Sequence, residues 1–441
     1  MRIFAWFCLA WVGAFSISGS EAADAPKAAV LTLAEAQQLA LKQHPKISVA
    51  QLQALAAGQN VRQVQAAYFP TLSANATAVG AADDNTRIAA GGLNNPAIFD
   101  RNAEGVTLSQ IVTDFGRTAN LSASAKLRQR AAEENTIATR AQILLQVDTA
   151  YFLALQANAV KQVAEQTIKT RQLLLDQVSA LASNKLKSEL DVSFARVAFE
   201  EGNLLLAKAQ NDLQASHSAL ATMIGEPRHE PFALAEQPLP PPAETNMSQL
   251  IQSALQHRPE LAQLRLERDA AFRLAKAEKA LNYPTLSVVG SAGVIPVRDE
   301  RLEKDYAAAG INLNFPLFAG GLYSARQKEA RLRFEAAGER LRDQENSVVQ
   351  EVQTASFNAS YARERLGLTA RLLEQANKAF ELAQIRYKVG GASIVELSQA
   401  QLNQTSAEIA QSAARYDYEI AQARLGYQLG ELQGPSTGKL K

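Results

Sequence analysis

Ala40-Leu41-Lys42-Gln43-His44-Pro45 returns as Ala254-Leu255-Gln256-His257-Arg258-Pro259, an offset of 214 residues. The same offset carries Tyr68-Phe69-Pro70-Thr71-Leu72-Ser73 onto Asn282-Tyr283-Pro284-Thr285-Leu286-Ser287. Past the next loop the offset becomes 205. It takes Gly116 to Gly321, Ser188-Glu189-Leu190-Asp191 to Ser393-Ile394-Val395-Glu396, and Gly225 to Gly430. Loops absorb insertions, so a change of offset inside one is ordinary. The stretches from Gly116 to Gly225 and from Gly321 to Gly430 absorb none, because the bounding glycines are 109 positions apart in each. A chain written twice, with its longest segment held to one length in both copies, must form two like units of fixed dimension.

Each copy opens with a helical pattern, from about Leu33 to Tyr68 and from about Met247 to Tyr283. Pro45 and Pro259 break these patterns and suit a first helical turn better than a helix interior. His44 and His257 stand at the two breaks, where a junction role explains them without a bound ligand. A strand follows each. Thr71 to Ala78 alternates polar and apolar with period two, and Thr285-Leu286-Ser287-Val288 begins its copy. Loops rich in Gly, Asn and Asp are expected over Gly80 to Asn102 and over Gly293 to Asp305. The return strands are Val106 to Ser109 and Ile311 to Leu317. In the latter, Ile311, Leu313, Phe315 and Leu317 share one face, and Asn312 and Asn314 the other. Aromatic residues bunch at one end of the strands (Tyr68, Phe69, Tyr283, Phe315, Phe318), as at a membrane interface.

From Arg117 to about Ala182, and from Leu322 to about Val389, neither proline nor a turn cluster intervenes. At 1.5 Å per residue each run makes a rod of ~100 Å. The return helices, about Glu189 to Met223 and about Ile394 to Leu429, are half as long, so a second helix must continue each end on. Those beginning at Pro45 and Pro259 are placed to do so. Glu226 to Asn246, which holds six prolines, reads as an extended linker. The expected organisation is a signal peptide over 1–22, a first repeat over 23–225, the linker over 226–246, a second repeat over 247–430 and a tail over 431–441.

Composition excludes much. Forty-five Lys and Arg against 44 Asp and Glu leave a net charge of +1 and no electrostatic case for nucleic acid. Hydrophobic residues make 47% of the chain but aromatics only 6%, the balance of Ala/Leu helices packed along their lengths. Met1-Arg2, the apolar run Ile3 to Ile17 and Ser20-Glu21-Ala22 make an export signal with cleavage expected after Ala22. The single cysteine, Cys8, lies inside that segment, so the exported chain is expected to lack disulfides. No apolar run beyond it has the length of a transmembrane helix. Nothing supports catalysis: no metal-ligand spacing involves His217 or His229, and no phosphate loop occurs. No metal or cofactor is expected. Asp114-Phe115-Gly116 reads as a helix-entry turn.

Four strands cannot close a barrel, and a bilayer does not tolerate an open sheet edge. The chain must therefore associate, and three copies give twelve strands and a pseudo-sixfold ring of helices. The alternative is a soluble periplasmic coiled-coil adaptor or scaffold, which accounts for the hairpins but not for the duplicated amphipathic strands.

The chain resembles the TolC family of outer-membrane efflux proteins. The residues that carry the likeness are the Pro45 and Pro259 junctions, Tyr68-Phe69-Pro70, Tyr283-Pro284, Asp114-Phe115-Gly116-Arg117, Phe318-Ala319-Gly320-Gly321 and Arg386-Tyr387-Lys388-Val389-Gly390. The resemblance implies a mainly α fold with a transmembrane β-barrel part. It implies a homotrimer in the outer membrane of a Gram-negative cell, with a 12-stranded barrel, a long periplasmic α-barrel and an equatorial belt. It implies service as the exit duct of a tripartite efflux or type I secretion system, in contact with outer-membrane lipid, a periplasmic adaptor and an inner-membrane pump. The helical tips are implied to close the tube. Asp191 falls where the family's first-hairpin aspartate bonds a tyrosine, and Tyr387 falls on that tyrosine. Glu396 takes the first acidic ring position, and Gln399 replaces an acid at the second. Ala392 stands where an arginine latch can occur. Lys185 replaces a tip glycine, which leaves Asn184 as the expected left-handed residue. Lys185, Lys187, Arg386, Lys388, Gly390 and Gly391 are the candidate adaptor contacts.

Cell fractionation separates the two readings. The channel reading expects the protein in the outer-membrane fraction after a high-salt wash, whereas release by salt as a soluble monomer would contradict it.

Overall fold

The computed structural model describes residues 30–80, 101–226, 233–241, 246–297 and 303–432. The expected signal peptide with Cys8, and all but the start of the tail, lie outside these residues. The first half contains β1 (Val30–Leu31), α1 (Leu33–Gln43), α2 (Pro45–Gln65), β2 (Thr71–Val79), β3 (Arg101–Thr113), α3 (Arg117–Ser183) and α4 (Glu189–Ile224). The second contains β4 (Ala233–Leu234), α5 (Met247–His257), α6 (Pro259–Lys279), β5 (Thr285–Val297), β6 (Asp305–Asn314), α7 (Leu322–Lys388) and α8 (Ile394–Leu429). The duplication is kept to the residue: α3 and α7 are each 67 residues long, α4 and α8 each 36.

The strands form one antiparallel sheet in the order β2-β3-β5-β6, so the inner strand of each hairpin joins the two repeats. The outer edges of β2 and β6 are unpaired within the protomer. Leu72, Ile311 and Leu313 stand largely exposed on this sheet. Three strands differ from expectation. β3 is longer at both ends than the expected Val106 to Ser109, beginning at Arg101 inside the expected loop and ending at Thr113. β5 runs on to Val297, through residues expected in a loop. Gly293 there marks a close crossing rather than a turn, because a Cβ on it would run into the Glu104 carbonyl of β3 and come 2.7 Å from both Gly105 Cα and the Tyr306 hydroxyl. β6 begins at Asp305 and ends at Asn314, so Phe315 to Leu317 lie beyond it. Pro316 has no N–H to continue the ladder.

Below the sheet, α3 and α4 form one long hairpin and α7 and α8 the other, with α2 and α6 completing the helical layer. The short helices stack end on as the lengths require. Gly225, with φ +82°, ends α4 where its Cβ would sit 3.2 Å from Gln43, at the α1–α2 junction. Gly430, with φ +80°, ends α8 with a would-be Cβ 2.9 Å from the His257 backbone, at the α5–α6 junction. Glycine is needed at both, for the left-handed turn and for the close approach. His44 accepts a hydrogen bond from the Lys46 N–H at 3.2 Å and caps α2, which accounts for it structurally.

The two apolar cores repeat each other. Ala40, Ile47, Val147, Leu220 and Ile224 are buried in the first, and Ala254, Leu261, Val352, Leu425 and Leu429 stand in the corresponding places in the second. Burial of each large side chain contributes about 1.5–3 kcal/mol. Part of α3 is apolar enough by composition for a membrane span, and half of that stretch is buried in the protein. Beside the first core, β1 pairs in parallel with β4, and the buried Tyr151 hydroxyl lies 2.9 Å from the Leu31 carbonyl and 2.7 Å from that of Ala235. The proline-rich linker is bound to α8 by Arg415, which pairs with Glu236 at 3.1 Å, and by the Tyr418 hydroxyl, which donates to the Pro240 carbonyl at 3.2 Å. Glu419, buried one turn along, has its carboxyl pushed up to about 7 by that burial.

The second junction carries a charge network that the first lacks. Arg258 is 4% exposed, pairs with Glu351 at 2.6 Å and lies 3.5 Å from Glu260, which also accepts from the Tyr427 hydroxyl at 3.0 Å. Removing a partner from a buried guanidinium leaves its desolvation uncompensated. Glu351→Ala is expected to cost about 1–3 kcal/mol, and Glu351→Gln less because it still accepts a hydrogen bond. Thermal unfolding of the purified protein checks this. Equal midpoints for the alanine variant and wild type would contradict it.

Candidate functional site

The two hairpin turns use one backbone solution with different residues. At the end of α3, the Lys185 N–H donates to the Ala182 carbonyl at 2.9 Å and the Leu186 N–H to that of Leu181 at 2.9 Å. At the end of α7, the Gly390 N–H donates to Tyr387 at 3.2 Å and the Gly391 N–H to Arg386 at 2.8 Å. This double closure requires a left-handed residue just past the helix. Gly390 takes it with φ +81°, and its counterpart Lys185 with φ +60°. The left-handed residue of the first tip is therefore Lys185 and not Asn184, which has φ −90° and donates its side-chain amide to the Ala180 carbonyl at 2.8 Å. The hydrogen-bond pattern fixes the position, so the neighbour's tolerance for that conformation does not decide it.

The acids in register, Asp191 and Glu396, behave differently. Asp191 turns back on its own helix start. Its Oδ2 accepts from the Ser188 N–H at 3.1 Å and hydroxyl at 2.9 Å, while Ser188 Oγ accepts from the Asp191 N–H. Glu396 is drawn away from the equivalent bond. Its Oε1 pairs with Arg386 at 2.7 Å, and Arg386 also donates to the Gly391 carbonyl at 2.9 Å. The repeat explains the difference, because Leu181 occupies the place of Arg386 in the first hairpin. Arg386 is thus engaged within its own hairpin, and Glu396 has a counter-charge. Gln399 is exposed and donates to Asn403 at 3.0 Å. Lys185, Lys388, Gly390 and Gly391 form the exposed outermost surface of the turns.

Tyr387 binds the tips together. It is 7% exposed, in a cluster with Val178 and Ala195 of the first hairpin and Ala383, Ile394 and Leu397 of the second. The hydrogen bond between Asp191 and Tyr387 that the resemblance implies does not form in this protomer. The capping bond holds the carboxylate, and the buried Tyr387 hydroxyl has no hydrogen-bond partner. Burial, and then the charge of Asp191, pushes the phenol up from its ordinary value. Lys187, half-buried, lies over the ring instead, with Nζ 4.3 Å from the centroid. Sequence reading named Lys187 only as a surface contact.

Above this cluster the seam between the hairpins turns polar. The Thr167 and Thr405 hydroxyls meet at 3.4 Å, and Gln401, 2% exposed, has neither amide atom paired. Sequence reading missed these residues, since each occupies a regular core position of its helix. Among the described residues, no cluster of His, Cys, Asp and Glu could hold a metal ion.

Helical hairpins of equal length under a sheet with two free edges are matched by a known family model, that of the outer membrane efflux protein, over residues 36–226 and 250–431. The chain belongs to that family. It is 24% identical over 359 residues to the outer membrane protein TolC of Escherichia coli strain K12, a match covering 78% of this chain and 71% of that one. It is 26% identical over 288 residues to the cobalt-zinc-cadmium resistance protein CzcC of Cupriavidus metallidurans, covering 65% and 66%. Among solved structures it resembles CusC, with a TM-score of 0.79 at 20% identity over 90% of this chain and 92% of that one. It resembles the open-state MtrE outer membrane channel of Neisseria gonorrhoeae with a TM-score of 0.75, at 21% identity over 91% and 89%. The protein is therefore an outer-membrane protein with the α-barrel and β-barrel fold of these channels, and its helices make the periplasmic part. That location removes the soluble scaffold reading.

Lys185→Gly relieves a left-handed side chain, a strain of about 1–2 kcal/mol. Amide hydrogen exchange of the purified protein is expected to slow across the first turn and stay unchanged across the second. Equal exchange in variant and wild type would contradict the assignment of strain to Lys185.

Proposed function

We propose that three copies of this chain close a twelve-stranded barrel over a helical tube and form the passive exit duct of a tripartite efflux or type I secretion system. The sheet carries the proposal: its order leaves the edges of β2 and β6 without partners, and a bilayer supplies none. Two near-equal repeats per chain make the tube pseudo-sixfold below a threefold barrel. The duct catalyses nothing. It is closed where the six hairpin tips converge, and a periplasmic adaptor driven by an inner-membrane pump opens it. Lys185, Lys388, Gly390 and Gly391 are the adaptor's contacts, since they stand outermost on the turns. Asp191, Tyr387, Glu396 and Gln399 are the residues of the closure. The first repeat, the linker and the second repeat each act as a unit of that wall. CzcC is named for resistance to metal ions and TolC for no cargo, and here the cargo is set by the pump.

Acid at a narrow aperture attracts cations. With Glu396 paired to Arg386, that attraction is muted. Reconstitution in planar bilayers is expected to give discrete, long-lived conductance steps. Arg386→Gln is expected to raise cation selectivity, measured as the reversal potential in a salt gradient, and Glu396→Gln to lower it. No steps from wild-type protein would contradict the duct, and unmoved reversal potentials in both variants would remove this pair from the aperture.

A further inference from the structure

We infer that the two hairpin tips of a protomer are latched by Lys187 seated on the face of the Tyr387 ring, and not by a bond to the Tyr387 hydroxyl. The inference rests on the reading of these tips as the closed end of the duct.

Three observations on different groups carry it. First, the ring of Tyr387 is the shared element: it lies among side chains of both hairpins, so whatever holds it holds the hairpins together. Second, its hydroxyl is buried without a partner, while the nearby acid Asp191 is committed to Ser188. A hydroxyl in that condition adds cost rather than cohesion. Third, the Lys187 ammonium is 4.3 Å from the ring centroid, within cation–π range, and no ion pair of Lys187 occurs among the described residues. Lys187 belongs to the turn between α3 and α4, and Tyr387 to the last turn of α7, so the contact crosses from one hairpin to the other.

The repeat makes the latch asymmetric. Lys187 corresponds to Ala392 and Tyr387 to Ala182, so neither half of the contact has a counterpart. A ring of six hairpins would carry three such latches, all within protomers. Opening then separates the hairpins of one protomer by sliding an ammonium off an aromatic face. At the Tyr387 hydroxyl that motion breaks no hydrogen bond. The orphaned hydroxyl is consistent with a tip that can shift without leaving a new unpaired donor behind. Partly buried contacts of this kind shift an open–closed ratio by a factor of roughly 2–5 each.

Single-channel recording on the full-length protein in planar bilayers tests the latch, using Lys187→Met, Lys187→Arg, Tyr387→Phe and Tyr387→Leu. Each variant is first checked for wild-type oligomer on a non-denaturing gel. Lys187→Met and Tyr387→Leu are expected to raise the open fraction by similar factors, and the double variant no further. Lys187→Arg and Tyr387→Phe are expected to match wild type, since charge and ring survive. The decisive pair is Lys187→Met and Tyr387→Phe, because neither empties the buried cluster. A raised open fraction in Tyr387→Phe with an unchanged one in Lys187→Met would overturn the latch and return the link to the hydroxyl. Fully additive effects of Lys187→Met and Tyr387→Leu would also overturn it. An absence of channels from wild type would instead defeat the duct reading.

Discussion

A lipid bilayer offers the backbone no hydrogen-bond partner, and a four-stranded sheet with two open edges cannot live in it alone. That constraint sets the rest of the molecule. In the proposed assembly neighbouring copies of the same chain satisfy the edges of β2 and β6, which asks the sheet to curve, the copies to be related by rotation and the helices below to form a ring. A ring built from two repeats per chain closes evenly only if the repeats match. This is why α3 and α7, and α4 and α8, agree in length to the residue, while the loops between strands do not. The left-handed glycines Gly225 and Gly430 serve the same end. They let each return helix stop against a proline-started helix, so that two short helices do the work of one long one.

Most of the architecture was legible because it was written twice. Offsets of 214 and 205 place both junctions, all four strands and both hairpins along the chain. The failures were local and had physical causes. Gly293 signals a turn in isolation, but here it lies hard against the Glu104–Gly105 backbone of β3, with the Tyr306 hydroxyl beside it. Alternation at Phe315 and Leu317 suggested a longer strand, and Pro316 ended the ladder. Lys185 took a backbone position that its own propensity disfavours because two turn hydrogen bonds required it.

The tips were the least legible part. Arg386 and Glu396 meet because a turn folds α8 back on α7, and Leu181 in the other repeat removes that option for Asp191. Lys187 and Tyr387 are 200 positions apart in sequence, and no periodicity links them. Contacts between hairpins depend on how whole helices are set against each other, which repeat offsets do not encode. The resemblance points to these positions, but not to the bonds made there. The duplication sets the lengths of the hairpins, and the differences between the copies set the contacts made at their tips.

The account's central claim is that copies of this chain complete one another's sheet. The most direct measurement is the mass of the intact assembly, by native mass spectrometry of protein extracted from the outer membrane in mild detergent. The account predicts three chains per particle. A stable monomer, or a dimer, would leave sheet edges open in the bilayer and would contradict it.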